Sequence, residues 1–316
     1  MNQRTRTLVT ALALGVLPST AILAAEEPAS CSEVAFADVG WTAETATTAL
    51  SGMVLEALGY EVDIKVLSIP VTYKSMENAD IDAFLGNWMP SMAADIKPYT
   101  DSGAVEVVRA VVEGAKYTLA TNAAGAELGI KDFADIANHA DALDNSIIGI
   151  EPGNDGNRLV LEMIEKDMFG LGGFELKESS EQGMLAQVAR SDGKGDPVVF
   201  LGWAPHPMNN NFDMTYLTGG DDTFGPDFGA AKVYSNVRAG YLEECPNVGQ
   251  FLKNLSFSVD MENILMAAIL EDGADPEDAG RDWLRANIRV LDEWLAGVTT
   301  RDGADAKAAV EAELAG

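Results

Sequence analysis

Positive charge is scarce in this chain: 21 lysines and arginines stand against 50 aspartates and glutamates, a formal net charge of −29 over 316 residues. So acidic a surface repels nucleic acid and anionic membrane faces at ordinary salt, so neither is expected as a partner and cationic or neutral ones are favoured. Long apolar runs are missing too. After the N-terminus no segment approaches the 18 uncharged apolar residues that cross a bilayer. Histidine is limited to His139 and His206, and no nucleophile elbow, HExxH or P-loop pattern occurs. What is present is a hydrophobic content of 47%, enough to fill the cores of two domains of ordinary size.

The N-terminus has the form of a secretory signal over 1–25. Arg4 and Arg6 precede the short apolar run LVTALALGVLP and the small residues of STAILAAEE, with cleavage expected near Ala25 although Leu23 is larger than the usual residue two positions earlier. The mature chain is therefore expected in the periplasm. Cysteine is as rare as histidine. Cys31 and Cys245, 214 positions apart, suit that oxidising destination and are expected to form a disulfide, with two free thiols or half a metal site as the alternatives. Closing so long a loop contributes at most roughly 5 kcal/mol in the chain-entropy model.

Along the chain, EVAFADVGW and YEVDIKVLSI read as strands flanking the helical TATTALSGMVLEALG, and DIDAFLGNW reads as a third strand. YTLATN, SIIGIEPG and PVVFLGWAP follow as strands, with NRLVLEMIEKDMFG and SSEQGMLAQVARSD as helices between them. This alternation predicts an α/β architecture with mostly parallel sheets. MENILMAAILEDG and DPEDAGRDWLRAN are helical, the second with Asp275 as N-cap and Pro276 at the first helical position. Trp283 and Trp294 read there as packing residues.

The other three tryptophans share a position. Trp41 in ADVGW, Trp88 in FLGNW and Trp203 in VFLGW each follow a glycine by one or two residues at the end of a strand, where open α/β sheets bind ligands. Tyr117, after EGAK, adds a fourth ring at the expected crossover between domains. Aromatic faces carry negative quadrupole charge, so a set of them suits a quaternary ammonium, which has no N–H to donate. At about 1–2 kcal/mol per ring plus methyl burial, three or four rings reach micromolar affinity.

DVGWT, FLGNWMP, GAKYTLATN, GIEPGNDGNRL, SSEQGMLAQVAR, VFLGWAPHPMN and NVRAGYLEECPNV together resemble the choline-binding members of the quaternary-amine substrate-binding proteins that serve ABC importers. The resemblance runs from about Cys31 to the C-terminus. It implies a two-lobed periplasmic-binding-protein fold, the type II venus flytrap, with the ligand in the cleft and a four-aromatic box formed by Trp41, Trp88, Tyr117 and Trp203. It also implies that Asn154 meets the ligand's polar end. On the residues alone, Asn154 or Asp155 can cap the helix that follows GIEPG, with free amide groups facing an oxygen in the cleft.

One position departs from the family pattern. The aspartate that accepts the choline hydroxyl is Ala43 here, followed by Glu44, which can substitute, face solvent or sit in the first helical turn. Choline remains the first expectation, with trimethylamine N-oxide, glycine betaine or carnitine as alternatives. The expected lobes are 26–115 with 213–316, tied by Cys31 and Cys245, and 116–212. The expected partners are the ligand and an inner-membrane ABC permease, with the protein itself a monomer. No cofactor and no metal are expected; a hydrolase acting on a choline ester, and a structural calcium at DGADPED or GGDDTFGPD, are the remote alternatives.

Overall fold

The structure is a computed structural model that describes residues 27–316. The signal-sequence reading, including Arg4, Arg6 and the cleavage near Ala25, lies outside the described residues. Among the described residues nine strands form one sheet: β1 (Glu33–Asp38), β2 (Glu61–Val66), β3 (Ala83–Met89), β4 (Val105–Asn122), β5 (Ser146–Ile148), β6 (Glu175–Lys177), β7 (Val199–Ala204), β8 (Met214–Tyr216) and β9 (Ala230–Arg238). Their order is β2-β1-β3-β9-β4-β7-β5-β6, with β8 also paired to β4.

The sheet is mixed, which corrects the expectation of mostly parallel pairing. The β1–β2, β1–β3, β5–β6 and β5–β7 pairs are parallel, whereas β3–β9, β4–β7, β4–β8 and β4–β9 are antiparallel. The parallel pairs are linked by helical crossovers, whose 3.6-residue apolar pattern is visible in sequence. The antiparallel ones depend on the long strands β4 and β9, whose partners are distant in the chain.

β4 is the spine that joins the two ends of the sheet. Val105 to Lys116 pair with β9, with register shifts at three places, and Lys116 to Thr121 pair with β7. Such irregularities let one strand bend between two packed regions. Tyr117 therefore lies where the strand passes from one set of partners to the other. β8 pairs with Ala120–Asn122, and so packs with elements of the 116–212 segment.

Helix Thr42–Ala57 is buried along almost its whole length, with Leu50, Met53, Leu55 and Leu58 in the core. Its small alanines and threonines let neighbouring elements pack close on every side. Helix Pro276–Ala286 is capped as expected by Asp275, whose Oδ1 accepts from the Glu277 N–H at 2.9 Å. Cys31 and Cys245 are joined in a disulfide, their Cα atoms 5.5 Å apart, so the start of the described chain is tied to the segment after β9. Both sulfurs are thereby used, which removes the free-thiol and half-site alternatives. No helix among the described residues is long and apolar enough to cross a membrane.

Candidate functional site

The chain turns sharply after β1. Gly40 has φ 83°, a conformation that favours glycine, and Asp38 Oδ1 accepts the Gly40 N–H at 2.6 Å while Oδ2 accepts the Thr45 hydroxyl at 2.8 Å. This turn places Trp41 at the N-cap of helix Thr42–Ala57 rather than on the strand itself. Trp88 and Trp203 are penultimate in β3 and β7. Tyr117 and Trp203 are directly opposed across the β4–β7 ladder, which sets both rings on one face of the sheet.

These four rings line one cavity with Ala43, Glu44, Ile150 and Asn154. Tyr117 meets Trp88 at 6.0 Å between centroids and 64°, and Trp203 at 6.1 Å and 85°. In edge-to-face contacts of this kind the rim of one ring meets the face of the other. Phe224 supports Tyr117 from another side at 5.8 Å and 80°. Gly156 packs on the tyrosine as well, and a Cβ there would collide with its hydroxyl.

Asn154 is both helix cap and cavity wall. Its Oδ1 accepts from the Asn157 N–H at 3.1 Å and from the Tyr117 hydroxyl at 2.9 Å, and its Nδ2 donates to Asp155 Oδ1 at 3.1 Å. One amide N–H is left over for a ligand oxygen. Asp155 is the first residue of helix Asp155–Glu165, buried, and not among the cavity's lining residues. Burial pushes its carboxyl up to about 7.

Ala43 and Glu44 both reach the cavity. Glu44 sits in the first helical turn yet is 4% exposed, so neither solvent nor a free surface turn is its environment. Its Oε2 accepts the Val39 N–H at 3.1 Å, and its Oε1 is buried with no hydrogen-bond partner. Burial first, then the charges of Asp38 and Glu151, hold its carboxyl well above the usual carboxylate range, while the Val39 bond opposes them.

Three polar contacts connect elements of 27–115 with elements of 116–212 around this cavity. Trp41 Nε1 donates to Glu151 Oε1 at 2.8 Å. Thr42 donates to Glu181 through its N–H at 3.0 Å and its hydroxyl at 2.6 Å. Arg158 reaches Asp95 Oδ2 and the Ser91 carbonyl, each at 2.8 Å. Behind Trp203, His206 stands at 5.0 Å between centroids; its Nδ1 accepts from the Met208 N–H at 2.9 Å, which leaves Nε2 to donate to Glu181 Oε1 at 3.2 Å.

All of the sequence-derived box residues thus border one space, together with Ala43, Glu44 and Asn154; Asp155 lies outside it. Sequence reasoning missed Ile150, Glu151, Phe224 and the Glu181–His206 pair. Only Ile150 and Glu151 carried a signal, being the continuation of the strand-to-helix loop that presents Asn154. The two acidic stretches do structural work: Asp275 caps a helix, and GGDDTFGPD carries Phe224 to Tyr117.

Comparison with known proteins places this geometry in context. Residues 32–286 match the substrate-binding domain of the ABC-type glycine betaine transport system. An ABC-transporter choline binding protein in complex with choline is 64% identical, superposes with a TM-score of 0.90, and is matched over 91% of this chain and all of that one. An ABC-transporter choline binding protein in an unliganded semi-closed conformation is also 64% identical, with a TM-score of 0.84 over 90% of this chain and 99% of that one. The uncharacterized protein ORF1 of Chromohalobacter salexigens is 53% identical over 129 residues, 41% of this chain and 83% of that protein.

Proposed function

Because the chain belongs to the family of substrate-binding domains of ABC-type glycine betaine transport systems, a family of binding proteins and not of enzymes, we propose that it captures choline outside the cytoplasm and delivers it to an ABC permease. The observation that carries the choice of ligand class is the cavity's wall: four aromatic rings and the carboxyl of Glu44, with no lysine or arginine. A trimethylammonium group gains cation–π attraction from such faces and burial of its methyls, while its charge needs no hydrogen-bond partner.

Trp41, Trp88, Tyr117 and Trp203 hold the ammonium end, and the free amide N–H of Asn154 meets the ligand oxygen. The lobes are 27–115 with the chain returning from β9 onward, and the segment between them. This moves the return from 213 to β9, because β8 pairs with Ala120–Asn122. Trp41–Glu151, Thr42–Glu181 and Arg158–Asp95 then hold the lobes closed over the ligand.

Trimethylamine N-oxide, glycine betaine and carnitine rank below choline, since the last two bring a carboxylate to a wall that offers an acid and no cation. Parallel calorimetric titration of the ligand-stripped protein with all four tests this. Choline binds tightest, at micromolar or better, corresponding to about 8 kcal/mol; failure of every ligand to bind would remove the cage reading.

A further inference from the structure

We propose that Glu44 is the charge-selecting residue of the cavity: it binds a cationic trimethylammonium ligand as the carboxylate, releasing a proton to solvent, and thereby rejects zwitterions. This rests on the reading of the cavity as a trimethylammonium cage. Four observations place Glu44 in the role. It lines the space that the four rings enclose. It is buried, and its Oε1 lacks any hydrogen-bond partner, so one acceptor is free for a ligand. Ala43 beside it contributes no polar group. Finally, β3 makes room for it: a Cβ at Gly86 would stand 2.7 Å from Glu44 Cδ, so a larger residue there would displace the carboxyl.

The charges around Glu44 fix how it responds. Asp38 at the end of β1 and Glu151 in the loop after β5 are both negative, and Tyr73 of helix Ile69–Glu77 and Tyr117 across the cavity bring no positive charge. With no ligand, burial and these neighbours keep Glu44 protonated into a range where an exposed glutamate is ionised. An entering ammonium reverses the balance by supplying the missing opposite charge. The carboxyl loses its proton to bulk water, its freed oxygens accept the Val39 N–H and the ligand's hydroxyl, and the ligand's positive charge is balanced by the negative charge of Glu44. A betaine carboxylate has no such exchange to make. It is tolerated only while Glu44 keeps its proton, so its affinity falls as pH rises whereas that of choline increases.

Calorimetry on the ligand-stripped wild type and on Glu44→Gln, with choline and glycine betaine, at about pH 5.5 and about pH 8 in two buffers of different ionisation enthalpy, reads selection and proton release together. In the wild type, choline affinity rises toward tenfold per pH unit below the carboxyl's midpoint, with up to about one proton released per choline. In Glu44→Gln the release disappears and the choline-to-betaine ratio narrows by about tenfold or more. An unchanged ratio in Glu44→Gln overturns the proposal. So does wild-type choline binding with no proton released at either pH, a readout that stands even if the variant melts early. Equal wild-type affinity for the two ligands removes charge selection but leaves the cage; no wild-type binding of either removes the cage as well.

Discussion

Trp41, Trp88 and Trp203 surround a cavity, whereas Trp283 and Trp294 lie on one another, 6.3 Å between centroids and 21° from parallel. Trp294 is fully buried, donates its Nε1–H to the Ser256 carbonyl at 3.1 Å and meets Phe257 edge-to-face at 5.7 Å. In the C-terminal pair the ring faces are consumed by each other. Around the cavity the contacts of Tyr117 with Trp88 and Trp203 are edge-to-face, and the rings border an open space. Trp294 is at least as buried as the three cavity tryptophans, so burial alone does not separate a ring that fills a core from one that borders a space.

The largest effect that would sharpen this contrast is on stability. Trp294→Ala opens a cavity in a filled region and should cost about 3–5 kcal/mol in urea unfolding, while the folded fraction keeps its ligand affinity. Trp203→Ala should do the reverse, weakening choline binding by about 2 kcal/mol or more, with a smaller loss of stability. If Trp203→Ala binds choline normally and unfolds as readily as Trp294→Ala, the two regions are of one kind.

A smaller effect extends the contrast from rings to acids. Glu262, in helix Val259–Leu270, is as buried as Glu44 but does not line the cavity, and burial alone pushes its carboxyl up to about 8. Its folded value lies above the unfolded one of about 4.3, so the native state holds the extra proton and stability falls as pH rises from about 4.3 to 8. Glu262→Gln should remove that fall, seen as a narrower melting-temperature gap between pH 5 and pH 9, and leave the pH dependence of choline binding unaltered. A changed binding profile in Glu262→Gln would mean that buried acids in general, and not the wall of the cavity, set the pH response.

The box was legible in sequence because its signals are local: a glycine, a strand end and a ring within five residues, repeated three times. The pairing of Cys31 with Cys245 was also readable, by number and compartment. The orientation of Glu44, named in the sequence with three alternatives, was not, since which way a residue in the first helical turn faces depends on how helix Thr42–Ala57 is rolled against β3, a tertiary fact. β9 was missed because AAKVYSNVR takes its place from pairing with β3 and β4, both more than a hundred residues away. The Glu181 contacts with Thr42 and His206 escaped for the same reason, each being a meeting of residues from separate elements.

The most direct measurement is the crystal structure of the protein grown with choline. The account predicts the trimethylammonium group enclosed by Trp41, Trp88, Tyr117 and Trp203 with its hydroxyl toward Glu44 and Asn154; choline bound elsewhere, with the four rings closed on one another, would contradict it.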